Sequence, residues 1–292
     1  MLPSYLKKYN NAASSDKQTV VCGKVRFTAI TSRLFRIEEN EFYDNASQTV
    51  LNRNFEQTEI ESYKENNTLF IKTKHLLLSY KIGEKLNSES LNIVLLSKPY
   101  TRWDFGDIAV HNLGGTVSTL DRVSGSCKLS DGMCSIEGYS TIDDSKTALF
   151  DDNGWFKIRN GNTTDLYFFG YGHDYLVCIK DYCRLTGVPK MLPAYALGNW
   201  WSRYHRYSEE EYLALMDKVS ENDVPLSVAV IDMDWHIVQN IKDEYWEKIS
   251  EKDKMSIGYC LGWTGYTWDK ELFPDYKRFL NELHNRGLKT SL

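Results

Sequence analysis

The sequence predicts an N-terminal antiparallel β-sandwich followed by the first part of a (β/α)8 (TIM) barrel, truncated before closure. Residues 18–170 carry many short β-branched and aromatic runs. Polar turn clusters such as Asn112-Leu113-Gly114-Gly115 and Asp151-Asp152-Asn153-Gly154 separate them. Beyond residue 170 the pattern changes to amphipathic helical periods flanking one near-continuous apolar run, Leu226-Ser227-Val228-Ala229-Val230-Ile231. Such a run suits a parallel strand buried on both faces. Residues 189–292 fall well short of the about 250 that a complete barrel needs. The expected division is a sandwich over 1–188, with a linker helix at 174–186, and an incomplete barrel over 189–292.

The elements are read in order. Strands are expected at 20–29, 34–38, 69–73, 76–80, 93–96, 155–158 and 166–169, and no internal repeat is visible. The linker helix carries Tyr175, Leu176, Ile179, Tyr182 and Cys183 at helical spacing and stops at Gly187, with Pro189 beyond. Ser208-Glu209-Glu210-Glu211 is a capping box that opens a helix with Tyr212, Leu215, Met216 and Val219 on one face. The 226–231 run is read as the first barrel strand. A further helix places Tyr276, Phe279, Leu280 and Leu283 together and stops at Gly287, after which residues 288–292 begin another strand.

Composition excludes several classes. With 42% hydrophobic and 26% charged residues, the chain can bury a sizeable core and is not dominated by disorder. A net charge of −5 and a pI near 5.8 offer nothing to a phosphate backbone, so no nucleic-acid partner is expected. No apolar run approaches the about 20 residues that span a bilayer, and the N-terminus lacks a signal-peptide core. The expected location is cytoplasmic, without a membrane partner. The sequons at Asn45, Asn66 and Asn162 then carry no meaning. The six cysteines form no CxxC pair and are read as reduced thiols, and no metal site is expected.

Chemistry is expected where barrel strands end. The 226–231 run leads into Asp232-Met233-Asp234-Trp235-His236. Carboxylates accept hydroxyl hydrogen bonds and a Trp face can floor a sugar ring. His236 could bond a sugar hydroxyl, donate to Asp234 or pack. Two flanking segments, 192–204 and 262–269, set Trp and Tyr beside polar donors.

These segments resemble glycoside hydrolase family 31, the α-glucosidase and α-xylosidase family. The resemblance is carried by PAYALGNWWSRYHRYSEEE, VPLSVAVIDMDWH and GYTWDKELFPDYKRFLNELHNRGLK in that order, with NLGGTVSTLDRVSG upstream. It runs from about residue 112 to residue 292.

The resemblance implies a β-sandwich, then a (β/α)8 barrel, and cleavage of α-glycosidic bonds with retention, without metal or organic cofactor. It implies that Asp232 holds sugar hydroxyls in the −1 subsite and that Asp234 helps shape specificity. It makes Trp268 an aromatic wall and puts Trp201, Arg203 and His205 on the loop bordering the pocket. Trp103-Asp104 becomes a sandwich loop leaning over the site. The family's nucleophile and acid/base are aspartates on later barrel strands, which places both beyond residue 292. No catalytic residue is therefore assigned, and the chain is expected to be inactive by itself. The favoured reading is the N-terminal portion of a retaining α-glycosidase acting on an α-linked glycoside or oligosaccharide. A non-catalytic carbohydrate-binding sandwich and an inactive truncated product are the alternatives.

Overall fold

The computed structural model describes residues 13–117, 119–151, 153–238, 247–248, 250–252 and 265–292. The chain divides into two compact units, Met1–Pro189 and Lys190–Leu292.

Antiparallel sheets dominate the first unit. One sheet orders its strands β1 (Thr19–Cys22), β2 (Val25–Thr31), β3 (Leu34–Glu39), β12 (Thr164–Phe169) and β9 (Ser140–Asp143). The other runs β4 (Glu61–Glu65), β5 (Thr68–Lys72), β6 (Leu76–Lys81), β7 (Leu91–Leu95) and β8 (Arg102–Asp104). A two-stranded pair, β10 (Leu149–Phe150) with β11 (Phe156–Lys157), stands apart. The single strand expected over 20–29 is instead a hairpin. Cys22 pairs with Val25 across a two-residue turn in which Gly23 has φ 63°, a conformation that a Cβ would strain.

Period-2 alternation sorts the side chains. Val25, Phe27, Phe35, Ile37 and Phe168 of the first sheet share one core with Leu69, Ile71, Leu78, Ile93 and Trp103 of the second. Trp103 is fully buried there and its Nε1 donates to the Asp107 carbonyl at 3.0 Å, so this indole belongs to the core and not to an overhanging loop. The opposite face of the first sheet is covered as well. Ile30, Leu34, Val50, Tyr167 and Phe169 pack there with Cys178 and Leu185 of helix α1 (Tyr175–Thr186). The buried face of α1 differs from the expected one: Leu176 is exposed, while Cys178, Asp181 and Leu185 point inward. Tyr171 accounts for the buried acid, because its hydroxyl donates to Asp181 Oδ2 at 2.7 Å.

Charges fill the rest of that covered face. Arg36 donates to both oxygens of Asp165 at 2.8 and 2.7 Å and lies 3.0 Å from Glu38. Arg159 bridges Asp165 at 2.9 Å and Asp144 at 2.6 Å, and Arg26 holds Glu38 through 2.6 and 2.9 Å bonds. Burial pushes the Glu38 and Asp144 carboxyls up. It works the same way on Asp165, but Arg36, Arg53 and Arg159 outweigh it and hold that group below its ordinary value.

Parallel strands build the second unit. β13 (Trp200–Trp201), β14 (Val228–Val230) and β15 (Lys289–Ser291) lie side by side with β14 central, in the register Trp201↔Ala229 and Ala229↔Thr290. The apolar run is therefore the second parallel strand and not the first. The two-residue β13 escaped sequence reading because so short a strand has no periodicity. Helices α2 (Glu209–Glu221) and α3 (Tyr276–Asn285) cover the sheet through Tyr212, Met216, Phe279 and Leu283. The capping box is present at the start of α2: Ser208 Oγ accepts from the Glu211 amide at 3.3 Å, and Glu211 Oε2 accepts from the Ser208 amide at 2.9 Å. The buried Glu209 ties the helices together, pairing with Arg278 and accepting from the Asp275 amide at 3.2 Å. Among the described residues, no helix is long and apolar enough to cross a membrane.

The buried charge network generates a test. Asp165→Ala leaves Arg36 and Arg159 facing an apolar gap and should cost about 3–5 kcal/mol. Arg102→Ala removes the more exposed pair with Asp104 and should cost under about 1 kcal/mol. Urea unfolding of both variants measures the difference. Equal losses would show that the network contributes nothing beyond an ordinary surface pair.

Candidate functional site

The site forms where β14 leaves the sheet. The Ile231 amide still donates to the Ser291 carbonyl at 2.9 Å, so the ladder holds the chain up to the residue before Asp232. Asp232 is exposed, and its Oδ2 accepts from Ser202 Oγ at 3.1 Å. Ser202 directly follows β13, so the contact joins neighbouring strand ends. At Asp234 the chain turns through φ 58°, left-handed for a non-glycine residue. Its carboxylate is largely buried, with Arg206 Nε 4.0 Å away.

The segment after this turn is anchored by a short antiparallel pairing. The Ile237 amide donates to the Thr267 carbonyl and the Asp269 amide to the Trp235 carbonyl, both at 2.9 Å, flanking the bridge between His236 and Trp268. Trp235 and His236 are thereby held in place, their rings in edge contact at 4.9 Å. The His236 ring is 2% exposed, with Nδ1 3.3 Å from the Ile237 carbonyl. Gly265 lies against it so closely that an added Cβ would stand 2.9 Å from Nδ1.

These pieces enclose a cavity of about 310 Å³ whose lining includes Tyr204, Asp232, Trp235, His236, Gly265 and Tyr266. Its chemistry combines a carboxylate acceptor, an imidazole and three aromatic faces. That set suits a polyhydroxylated ring with one polar edge and one C–H face. Among the described residues, no group of three or more His, Cys, Asp or Glu side chains could hold a metal ion.

The residues singled out from sequence divide accordingly. Asp232 and His236 line the cavity. Asp234 sits beside it, turned toward Arg206. Trp268 lies behind the cavity, stacked on Tyr276 at 5.0 Å and in edge contact with Trp235 at 5.2 Å, where it props up a wall residue. Trp201 faces the core, 6.1 Å from Tyr207 and 5.9 Å from Tyr212. Arg203 and His205 are exposed and both engage Tyr207, Arg203 through a 3.4 Å bond to its hydroxyl and His205 through ring contact at 4.4 Å. Gly262, Trp263 and Thr264 lie outside the described residues. Sequence reading missed Tyr204 and Tyr266 as individual wall residues and Ser202 as a partner of Asp232. The only signal for the tyrosines was their place in Gly- and polar-rich segments beside the strand end.

Residues 189–292 match the glycosyl hydrolases family 31 TIM-barrel domain, so the family resemblance read from the sequence is shown over this segment. An α-xylosidase of Saccharolobus solfataricus is 30% identical over 138 residues, covering 47% of this chain and 16% of that protein. The α-xylosidase XylQ of Lactiplantibacillus pentosus is 31% identical over 125 residues, covering 42% and 14%. The α-glucosidase 2 of Bacillus thermoamyloliquefaciens is 27% identical over 151 residues, covering 52% and 16%. The matched stretch is thus under a fifth of each relative's length. Among solved structures, a mutant family 31 dextranase of Flavobacterium johnsoniae complexed with isomaltotriose has a TM-score of 0.56 at 16% identity, covering 95% of this chain and 36% of that one. A family 31 α-xylosidase from Xanthomonas citri has a TM-score of 0.57 at 11% identity, covering 95% and 49%. These likenesses show a shared fold.

The close approach at Gly265 is testable. Gly265→Ala forces the His236 ring out of a packed position and should destabilise the second unit by about 1–3 kcal/mol, with a change in Trp fluorescence as Trp235 shifts. A variant with unchanged unfolding and emission would mean that the ring yields freely and that the cavity wall is soft.

Proposed function

We propose that the chain is part of a retaining α-glycosidase of the α-xylosidase or α-glucosidase kind. In this reading the antiparallel unit is its N-terminal β-sandwich, and β13, β14 and β15 are the first three strands of its (β/α)8 barrel. The substrate is an α-linked glycoside or oligosaccharide, and the end of β14 grips the sugar whose linkage is cut.

Asp232 carries the reading. It is an exposed carboxylate at the C-terminal end of a central parallel strand, lining a cavity with Trp235, His236 and two exposed tyrosines. A carboxylate placed there accepts charge-assisted hydrogen bonds from adjacent hydroxyls, while the aromatic faces take up the ring's C–H surface. Hydrogen bonds of this kind tighten as the ring flattens toward an oxocarbenium-like transition state.

Retention requires two carboxyl groups about 5–5.5 Å apart across the scissile bond, one nucleophile and one acid/base. Asp232 and Asp234 leave the same strand end, and Asp234 is buried toward Arg206. We therefore assign Asp232 to holding the sugar and Asp234 to shaping its surroundings, and place the nucleophile and acid/base on other barrel strands.

In the active enzyme, Asp232→Ala should lower kcat/KM by roughly ten- to 150-fold, matching the about 1.5–3 kcal/mol of a hydrogen bond to a charged group. The unfolding midpoint should stay within a degree or two. Hydrolysis of 4-nitrophenyl α-xyloside and α-glucoside, beside thermal unfolding, makes the comparison. Full activity with a collapsed midpoint would make Asp232 structural and remove the basis of the assignment.

A further inference from the structure

We infer that Ser202 is the positioning residue for Asp232, an inference that rests on the sugar-holding reading of Asp232. The Asp232 side chain stands at an exposed strand end, where its carboxylate can rotate in solvent. One hydroxyl of the protein engages it: Ser202 Oγ donates to Oδ2 at 3.1 Å. That donor comes from the adjacent strand. β13 and β14 are in parallel register through Trp200↔Val228 and Trp201↔Ala229, so the residue after β13 falls beside the end of β14.

The loop that carries Ser202 is itself laced to the loop that carries Asp232. Arg206 bridges Met233 in parallel fashion, and its guanidinium lies 4.0 Å from the Asp234 carboxylate. Below these contacts, the Tyr212 hydroxyl donates to the Val230 carbonyl at 2.8 Å, fixing β14 just before it ends. The backbone on both sides of the Ser202–Asp232 bond is therefore held, and the bond fixes the remaining side-chain freedom. A donor on one carboxylate oxygen selects a rotamer before the sugar arrives, which reduces the ordering cost of binding. Serine suits the role because its hydroxyl donates to the carboxylate without adding a charge that would compete with sugar hydroxyls.

The test measures binding of 4-nitrophenyl α-xyloside and α-glucoside to the active enzyme, as KM and kcat, with thermal unfolding alongside. S202A should weaken binding about three- to tenfold, in line with the cost of ordering one side chain, and leave the midpoint unchanged. S202T, which keeps the hydroxyl, should restore affinity. S202A placed in a D232A background should add no further loss, because both changes remove the same interaction. If D232A abolishes binding while S202A binds like the parent, the positioning role is overturned and the sugar-holding reading stands. If D232A binds like the parent, that reading falls and this inference falls with it.

Discussion

The placement of β14 between two parallel neighbours is the constraint on which the site depends. Its backbone is paired on one side with β13 and on the other with β15, and the last ladder bond, from the Ile231 amide to the Ser291 carbonyl, comes one residue before Asp232. A parallel strand so paired cannot slip by one residue without turning every side chain to the opposite face. Val228, Ala229 and Ile231 are buried, so a slip would set each against a surface shaped for its neighbour and draw the polar Ser227 or Asp232 into the buried span. The position of the acid is thus enforced by packing several residues away from it. The same packing keeps Trp201 and Trp268 in supporting roles, since each is held against aromatic neighbours of the core.

Burial of charge sets the character of the other unit. Arg26, Arg36 and Arg159 face Glu38, Asp144 and Asp165 in a group that balances in formal charge, and the Ser47 hydroxyl takes up a further oxygen of Asp144 at 3.0 Å. A network like this gives little net stability compared with apolar residues of the same volume, but it tolerates no missing member. It spans β2, β3 and β12 together with the segments that carry Asp144 and Arg159, so these parts are ordered together.

Much of this was legible in the amino-acid sequence, and the exceptions have physical causes. The capping box at Ser208, the apolar 226–231 run and the Phe279/Leu283 stripe are local patterns, and each appears where its residues placed it. Arg36 and Glu38 alternate with Phe35 and Ile37, which correctly sends them away from the core shared by the two sheets. Alternation cannot report that a second layer covers that side too. The aromatic residues near the strand end show a different limit. Trp201, Tyr204, Trp235, Tyr266 and Trp268 all sit beside polar neighbours, yet Trp201 and Trp268 support the core, Tyr204 and Tyr266 face the cavity, and Trp235 does both. Tyr and Trp serve both purposes, and only the three-dimensional environment separates them. The Ser202–Asp232 bond joins residues far apart in the chain, a relation that no local pattern encodes.

Strand β4 contributes nothing to the core, since all five of its residues are exposed, yet it occupies the edge of its sheet. Its outer backbone groups are an open template onto which another polypeptide could add a strand. Glu61, Lys64 and Glu65 crowd that rim, so an incoming chain would have to strip water from fixed charges before it could pair. Tyr63, the aromatic member, is stacked on Phe70 of the neighbouring strand and does not reach outward. The charges of this exposed edge strand thus raise the cost of adding another chain to a sheet rich in Leu and Ile.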